Sequence, residues 1–242
     1  MELLKEPIKA TTQINRILLY GPPKVGKTTF VSLLDSCAII DLEKGSLNVT
    51  AIKYEINSLK ELAELGKAIK DANYPYKYIA VDTTTALQDL CEDDATEAYM
   101  NSVIGKGFNR DEITGATLPK SRWESVLTLP KGLGYYWLRM SFEKWLNRLQ
   151  TLAPTLILLA HVKDIYLTKG GKEVSAKDID LMGKIRQITA VNTSVIGYMY
   201  REGTTGEKLM ISFQSTDTVV CGSRLEHLRG KIIEANWNEI FI

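Results

Sequence analysis

The chain has 242 residues, enough to bury one substantial core, and its 45% apolar and 24% charged residues are ordinary for a globular protein. Thirty Lys and Arg stand against 29 Asp and Glu, so overall charge does not mark a nucleic-acid binder, although a local basic surface stays open. Apolar runs such as Leu156-Ile157-Leu158-Leu159-Ala160 are too short to cross a bilayer, and the first residues lack the apolar core and cleavage site of a secretion signal. No membrane partner is therefore expected.

Residues 16–20 form an apolar run ending at Gly21, read as a buried strand that feeds a turn. Residues 27–34 have helical character. Residues 37–42 are a second strand-like run ending in acids. Ser58-Leu59-Lys60-Glu61 is a capping box that opens a helix with Leu59, Leu62, Ala63 and Ile69 near one face. Residues 78–81 form a third strand ending at Asp82. This alternation predicts right-handed βαβ units: an α/β fold with a mainly parallel central sheet flanked by helices, as one domain over residues 1–242. Residues 92–133, rich in charges and glycines, read as an insertion with mobile parts. Helical spacing returns over 135–149, with Trp137, Ser141, Trp145 and Leu149 on one side. A fourth buried strand follows at 155–160. Beyond it come a polar loop at 168–172 and two strands turning at 203–206.

Cys37, Cys91 and Cys221 lie far apart without metal-ligand spacing, which suits reduced thiols in a cytoplasmic protein. With only His161 and His227 available, a zinc site is not expected.

The segment Gly21-Pro22-Pro23-Lys24-Val25-Gly26-Lys27-Thr28 has the spacing of a phosphate-binding loop between a strand and a helix. Glycines let the backbone curl so that successive N–H groups point at phosphate oxygens at a helix N-terminus. Lys27 suits the β- and γ-phosphates of ATP or a close relative, Thr28 suits Mg²⁺, and Thr29 suits the α-phosphate. Asp82, at a strand end, is the expected partner of the magnesium ion. Many ATPases place a catalytic Glu directly after that Asp, but here Thr83-Thr84-Thr85 follow. Either hydrolysis is absent or the base comes from elsewhere. Glu43, just past the second strand, is the candidate; its other reading is a solvated loop acid.

These features together resemble the ATPase core of RecA/RadA-type recombinases, in particular the small phage-encoded, core-only single-strand annealing ATPases often described as phage nucleotide-binding or AAA proteins. The resemblance rests on Gly21 to Thr29, Ala38-Ile39-Ile40-Asp41-Leu42-Glu43, Ile79-Ala80-Val81-Asp82-Thr83 and Leu156-Ile157-Leu158-Leu159-Ala160-His161. It spans about residues 14–200, with 92–133 poorly matched.

The resemblance implies a three-layer P-loop NTPase of RecA type and a slow ATPase coupled to DNA binding. It implies Glu43 as base and His161, where bacterial RecA carries Gln, as the sensor that couples the γ-phosphate to a DNA-binding loop. The two DNA-contacting loops would fall near 129–134, offering Lys131, and near 168–177, offering Lys169, Lys172 and Lys177. Arg224, with Lys184 and Arg186 behind it, is the expected cation that a neighbouring subunit lends to the ATP site. Implied partners are single-stranded DNA, further copies in a ring or filament, and a single-strand-binding protein. The implied place is the cytoplasm, the host's if the chain is phage-encoded. An arm linking protomers would come from residues 1–13 or from the apolar tail 232–242, which could equally fold onto its own sheet.

Overall fold

The computed structural model describes residues 13–108, 110–111, 113–169 and 172–242, with the side chains of 167–169 and 172 excepted. The first strand, β1 (Arg16–Gly21), is apolar on both faces and buried throughout, so it can lie only inside a sheet covered on both sides. It is followed by α1 (Lys27–Val31), β2 (Cys37–Asp41), β3 (Ile52–Glu55), α2 (Leu59–Asp71), β4 (Tyr78–Asp82) and α3 (Thr84–Asn101). Then come α4 (Leu133–Gln150), β5 (Thr155–Lys169), β6 (Lys172–Ile179), α5 (Gly183–Val191), β7 (Val195–Glu202), β8 (Lys208–Ser212), β9 (Gly222–Ser223), β10 (Ile232–Glu234) and α6 (Trp237–Ile240).

The strands order as β10-β8-β7-β1-β5-β4-β2-β3. Those from β7 to β3 run parallel, and β8 and β10 extend the sheet antiparallel. Strand β5 thus lies between β1 and β4, and its mid-strand residue His161 is the register partner of Gly21 at the end of β1. Alternate residues sort onto two faces. Leu18, Tyr20, Ile40, Val81 and Leu158 pack under α2, α3 and α4, whereas Leu19, Ile39, Ala80 and Leu159 pack under α1 and the C-terminal tail. This gives a three-layer α/β architecture with a mainly parallel central sheet between helices.

Several expected elements shift. The helix expected over 27–34 ends at Val31, where Leu33 and Leu34 donate to Phe30 and Val31 in tighter turns. The capping box on α2 holds, with Ser58 accepting from the Glu61 N–H; the Glu61 carboxylate reaches Asn57 N at 2.8 Å. Residues 92–101 complete α3, because Cys91, Ala95 and Tyr99 recur at helical spacing on its buried face while Asp93 and Glu97 are exposed. The polar loop expected at 168–172 is replaced on both sides by a ladder in which β5 and β6 pair from Val162↔Ile179 to Lys169↔Lys172. Strand β3 and helix α5 carry too short or too mixed a pattern to be anticipated. The apolar tail folds onto its own chain: the Trp237 ring stacks on Phe30 at 4.2 Å, and its Nε1 donates to the Phe30 carbonyl at 2.8 Å. Residues 1–12, most of the other arm considered, lie outside the described residues. Among the described residues, no helix is long and apolar enough to cross a membrane.

Candidate active site

The turn after β1 curls tightly enough to require glycine at two points. Gly26 has φ 115°, and a Cβ at Gly21 would approach the Met199 carbonyl oxygen to 2.4 Å. The result is a loop whose last residues, Lys27 and Thr28, open α1. Lys27 Nζ donates to the Gly21 and Pro22 carbonyls, each at 3.0 Å, and burial pushes its pKa down while Asp82 and Glu43 pull it up. Thr28 Oγ1 donates to Asp82 Oδ2 at 2.6 Å, so the loop and the end of β4 meet across β5.

Asp82 and Asp41 close neighbouring strands as register partners. Burial, with Glu43 and Asp41 nearby, raises the pKa of Asp82, against the opposing pull of Thr28 and Lys27. Asp41 behaves oppositely. Burial works against its ionisation, but hydrogen bonds from the Ser46 hydroxyl and from the N–H groups of Ser46, Glu43 and Gly45 prevail and lower its pKa. Asp41 therefore shapes the turn that presents Glu43.

The ends of β2 and β4 and the middle of β5 converge on the Glu43 carboxylate. Thr83 Oγ1 donates to Glu43 Oε1, and His161 Nε2 lies 3.1 and 3.2 Å from its two oxygens. Thr83, in the position after Asp82, thus holds the candidate base and also caps α3 by accepting from Ala86 N at 3.3 Å. Pro23, Lys24, Gly26, Lys27, Thr29, Glu43, Asp82 and His161 are among the walls of one cavity of about 430 Å³, within the size range of small-ligand sites. Glycine-curled backbone, a lysine, and a hydroxyl facing a carboxylate form a donor set that fits a nucleoside triphosphate with Mg²⁺.

Other candidates lie elsewhere. Arg224 stands at the far end of the sheet. Its N–H bonds Ser194 O, beside the start of β1, and its guanidinium bonds the Val191 carbonyl. It can serve a P-loop only on another copy. Arg186 is paired with the buried Asp178, and Lys177 on β6 is paired with Asp164. Lys169 and Lys172 end β5 and begin β6, but their side chains lie outside the described residues, as do Gly170 and Gly171. Lys131 is exposed in a left-handed turn ahead of α4, and Lys184 is exposed in the first turn of α5.

Sequence reasoning did not anticipate Asp41, Thr83 or Arg201. Arg201 Nε, from β7, donates to the Val25 carbonyl at 2.9 Å and props the phosphate loop from the sheet side. An acid ending an apolar run signals Asp41 in principle. Nothing local in the sequence signals a partner 176 positions away.

A family profile described as an AAA domain, AAA_24, matches residues 14–225. No curated protein matches the chain. Among solved structures, the RadB recombinase is similar at 12% identity and a TM-score of 0.46, with 92% of this chain and 87% of that one covered. A KaiC-like protein, PH0186 from Pyrococcus horikoshii OT3, is similar at 12% identity and a TM-score of 0.43, with 91% and 89% covered. Because the profile takes in the phosphate loop, both strand-end aspartates, Glu43 and His161, the chain belongs to the AAA_24 family of AAA domains.

Proposed function

We propose that this P-loop protein is an ATPase that binds single-stranded DNA as a recombinase-like oligomer and promotes annealing or strand pairing. Lys27 and the loop N–H groups would hold the phosphates, and Thr28 and Asp82 the magnesium ion. That ion, when bound, supplies positive charge to the phosphate oxygens. Glu43 would orient and deprotonate the attacking water, with Thr83 and His161 fixing its carboxylate. Arg224 of a neighbouring copy would add positive charge at the phosphates.

One observation carries the link to DNA. Helix α3 begins two residues after Asp82 and is bonded to the root of the β5–β6 hairpin, through Thr85 Oγ1 to Asp180 O at 3.0 Å and Gln88 Oε1 to Met182 N at 2.8 Å. Met182 leads into α5, and a cleft of about 490 Å³ between the starts of α4 and α5 is lined by Tyr135, Tyr136, Arg139 and Lys184. Both tyrosines are more than half exposed, at 55% and 54%, and the Arg139 guanidinium lies 5.5 Å from the Tyr136 ring centre. Exposed aromatic rings interleaved with cations suit bases that stack and a backbone that carries phosphates.

The test is binding of labelled oligo-dT across a salt series, with ATP analogue, ADP or no nucleotide. Affinity that rises with the analogue and falls with salt is expected; binding indifferent to nucleotide would overturn the DNA reading. A second reading, an ATPase acting on a protein partner, draws on the exposed Val103, Ile104, Phe108 and Ile113 between α3 and α4. It requires ATP-dependent protein capture and no affinity for oligo-dT.

A further inference from the structure

On the face of the molecule covered by helices, α2 and α4 leave a groove between them of about 380 Å³. It lies at the opposite end of the sheet from the nucleotide cavity, since the last turns that line it lead into the beginnings of β4 and β5. The floor is apolar: Leu149, Leu152 and the Trp145 ring line it, and each is at least nine-tenths buried. The rim is cationic. Lys67 and Lys70 project from α2 and Arg148 from α4, all exposed, and none makes an ion pair among the described residues. The Arg148 guanidinium instead lies over the Trp145 ring, 4.8 Å from its centre.

No acidic residue is among those lining the groove. Trp145 is 5% exposed, and its indole Nε1–H has no acceptor among the described residues. An indole nitrogen can only donate, and a buried donor normally finds a partner. Three exposed cations without an ion pair, around an apolar floor with no acid in its lining, leave the groove complementary to one chemistry: carboxylates flanking an apolar side chain.

We propose that the α2–α4 groove docks an acidic peptide segment of a partner protein, with the apolar side chain on Leu149 and Leu152 and its carboxylates against Lys67, Lys70 and Arg148. Rim charges of this kind steer and select a partner, while the apolar floor holds it.

The test uses the full chain and a panel of fluorescent nonapeptides, each with four aspartates around one Leu, Ile, Phe or Trp. Anisotropy gives affinity, and the Trp indole N–H signals in a ¹⁵N-labelled sample report on the site. Saturable binding of at least one peptide is expected, with the Trp145 indole signal shifting during titration. A double Lys67→Glu, Lys70→Glu variant, both residues being exposed and remote from the nucleotide cavity, should weaken it by about tenfold or more while ATPase activity stays unchanged. The proposal is overturned if no peptide binds, if the double reversal leaves affinity intact, or if that variant loses oligo-dT binding and keeps peptide binding. The last result would assign the cations to nucleic acid.

Discussion

Asp41 and Asp82 end neighbouring strands side by side, yet their surroundings pull their protons in opposite directions. Four donors aimed at Asp41 favour its charge. Asp82 has burial and two other carboxylates against it. A carboxyl whose pKa is raised on folding weakens the fold wherever it is ionised, and that penalty disappears once pH falls below the ordinary carboxylate range near about 4. Asp82→Asn should therefore make the nucleotide-free protein more stable at neutral pH, with the advantage shrinking as pH falls. Thermal melts of both proteins across a pH series check this, and a gap that widens towards acid contradicts it. The same substitution should weaken magnesium-dependent nucleotide binding. Glu43 makes a different prediction. Glu43→Gln keeps an oxygen for Thr83 but removes the proton acceptor, so turnover should drop by about a hundredfold or more while nucleotide affinity changes little. Single-turnover hydrolysis beside equilibrium binding separates the two.

Among the elements, α1 and α3 connect the site to the rest of the molecule. Helix α1 is only 5 residues long, too short to stand alone, and it is secured by Phe30 stacking on Trp237 of the tail. Trp237→Ala should lower unfolding free energy by about 3–5 kcal/mol, the usual range for an aromatic ring removed from a core. Urea melts measure it, and a loss below about 1 kcal/mol would mean that the tail is not a working part of the core. Helix α3 acts at the other side of the sheet. Its capping hydroxyl on Thr83 holds Glu43, and its next turn, through Thr85 and Gln88, holds the start of α5. Helix α3 thus makes hydrogen bonds both at the Glu43 carboxylate and at the segment that leads into α5.

For the whole molecule, the decisive question is whether one copy completes another's site. Arg224 and the phosphate loop are at opposite ends of the same sheet, so no rearrangement within one chain short of unfolding brings them together. Mixing Arg224→Ala protein with Lys27→Ala protein should restore turnover that neither has alone, because the second would lend its arginine to the first. ATPase assays of the mixture read this directly. Recovery at no ratio removes Arg224 from the site.

The local pattern of the chain was enough to show the phosphate loop, the strands β1, β2 and β4, and the acid that faces Thr28, because glycine spacing and apolar runs act over a few residues. The same reasoning placed Glu43 at the right edge of the sheet. Which groups meet there was decided by tertiary pairing: Thr83, His161 and Glu43 come together only because β5 lies beside β4, and β4 beside β2, in a parallel register that sets Leu159 beside Asp82 and Asp82 beside Asp41. Arg201 reaches the loop only because β7 lies against β1. The extension of β5 and β6 through a polar stretch, and the groove between α2 and α4, likewise depend on contacts between segments distant in sequence, where propensity and periodicity carry no information.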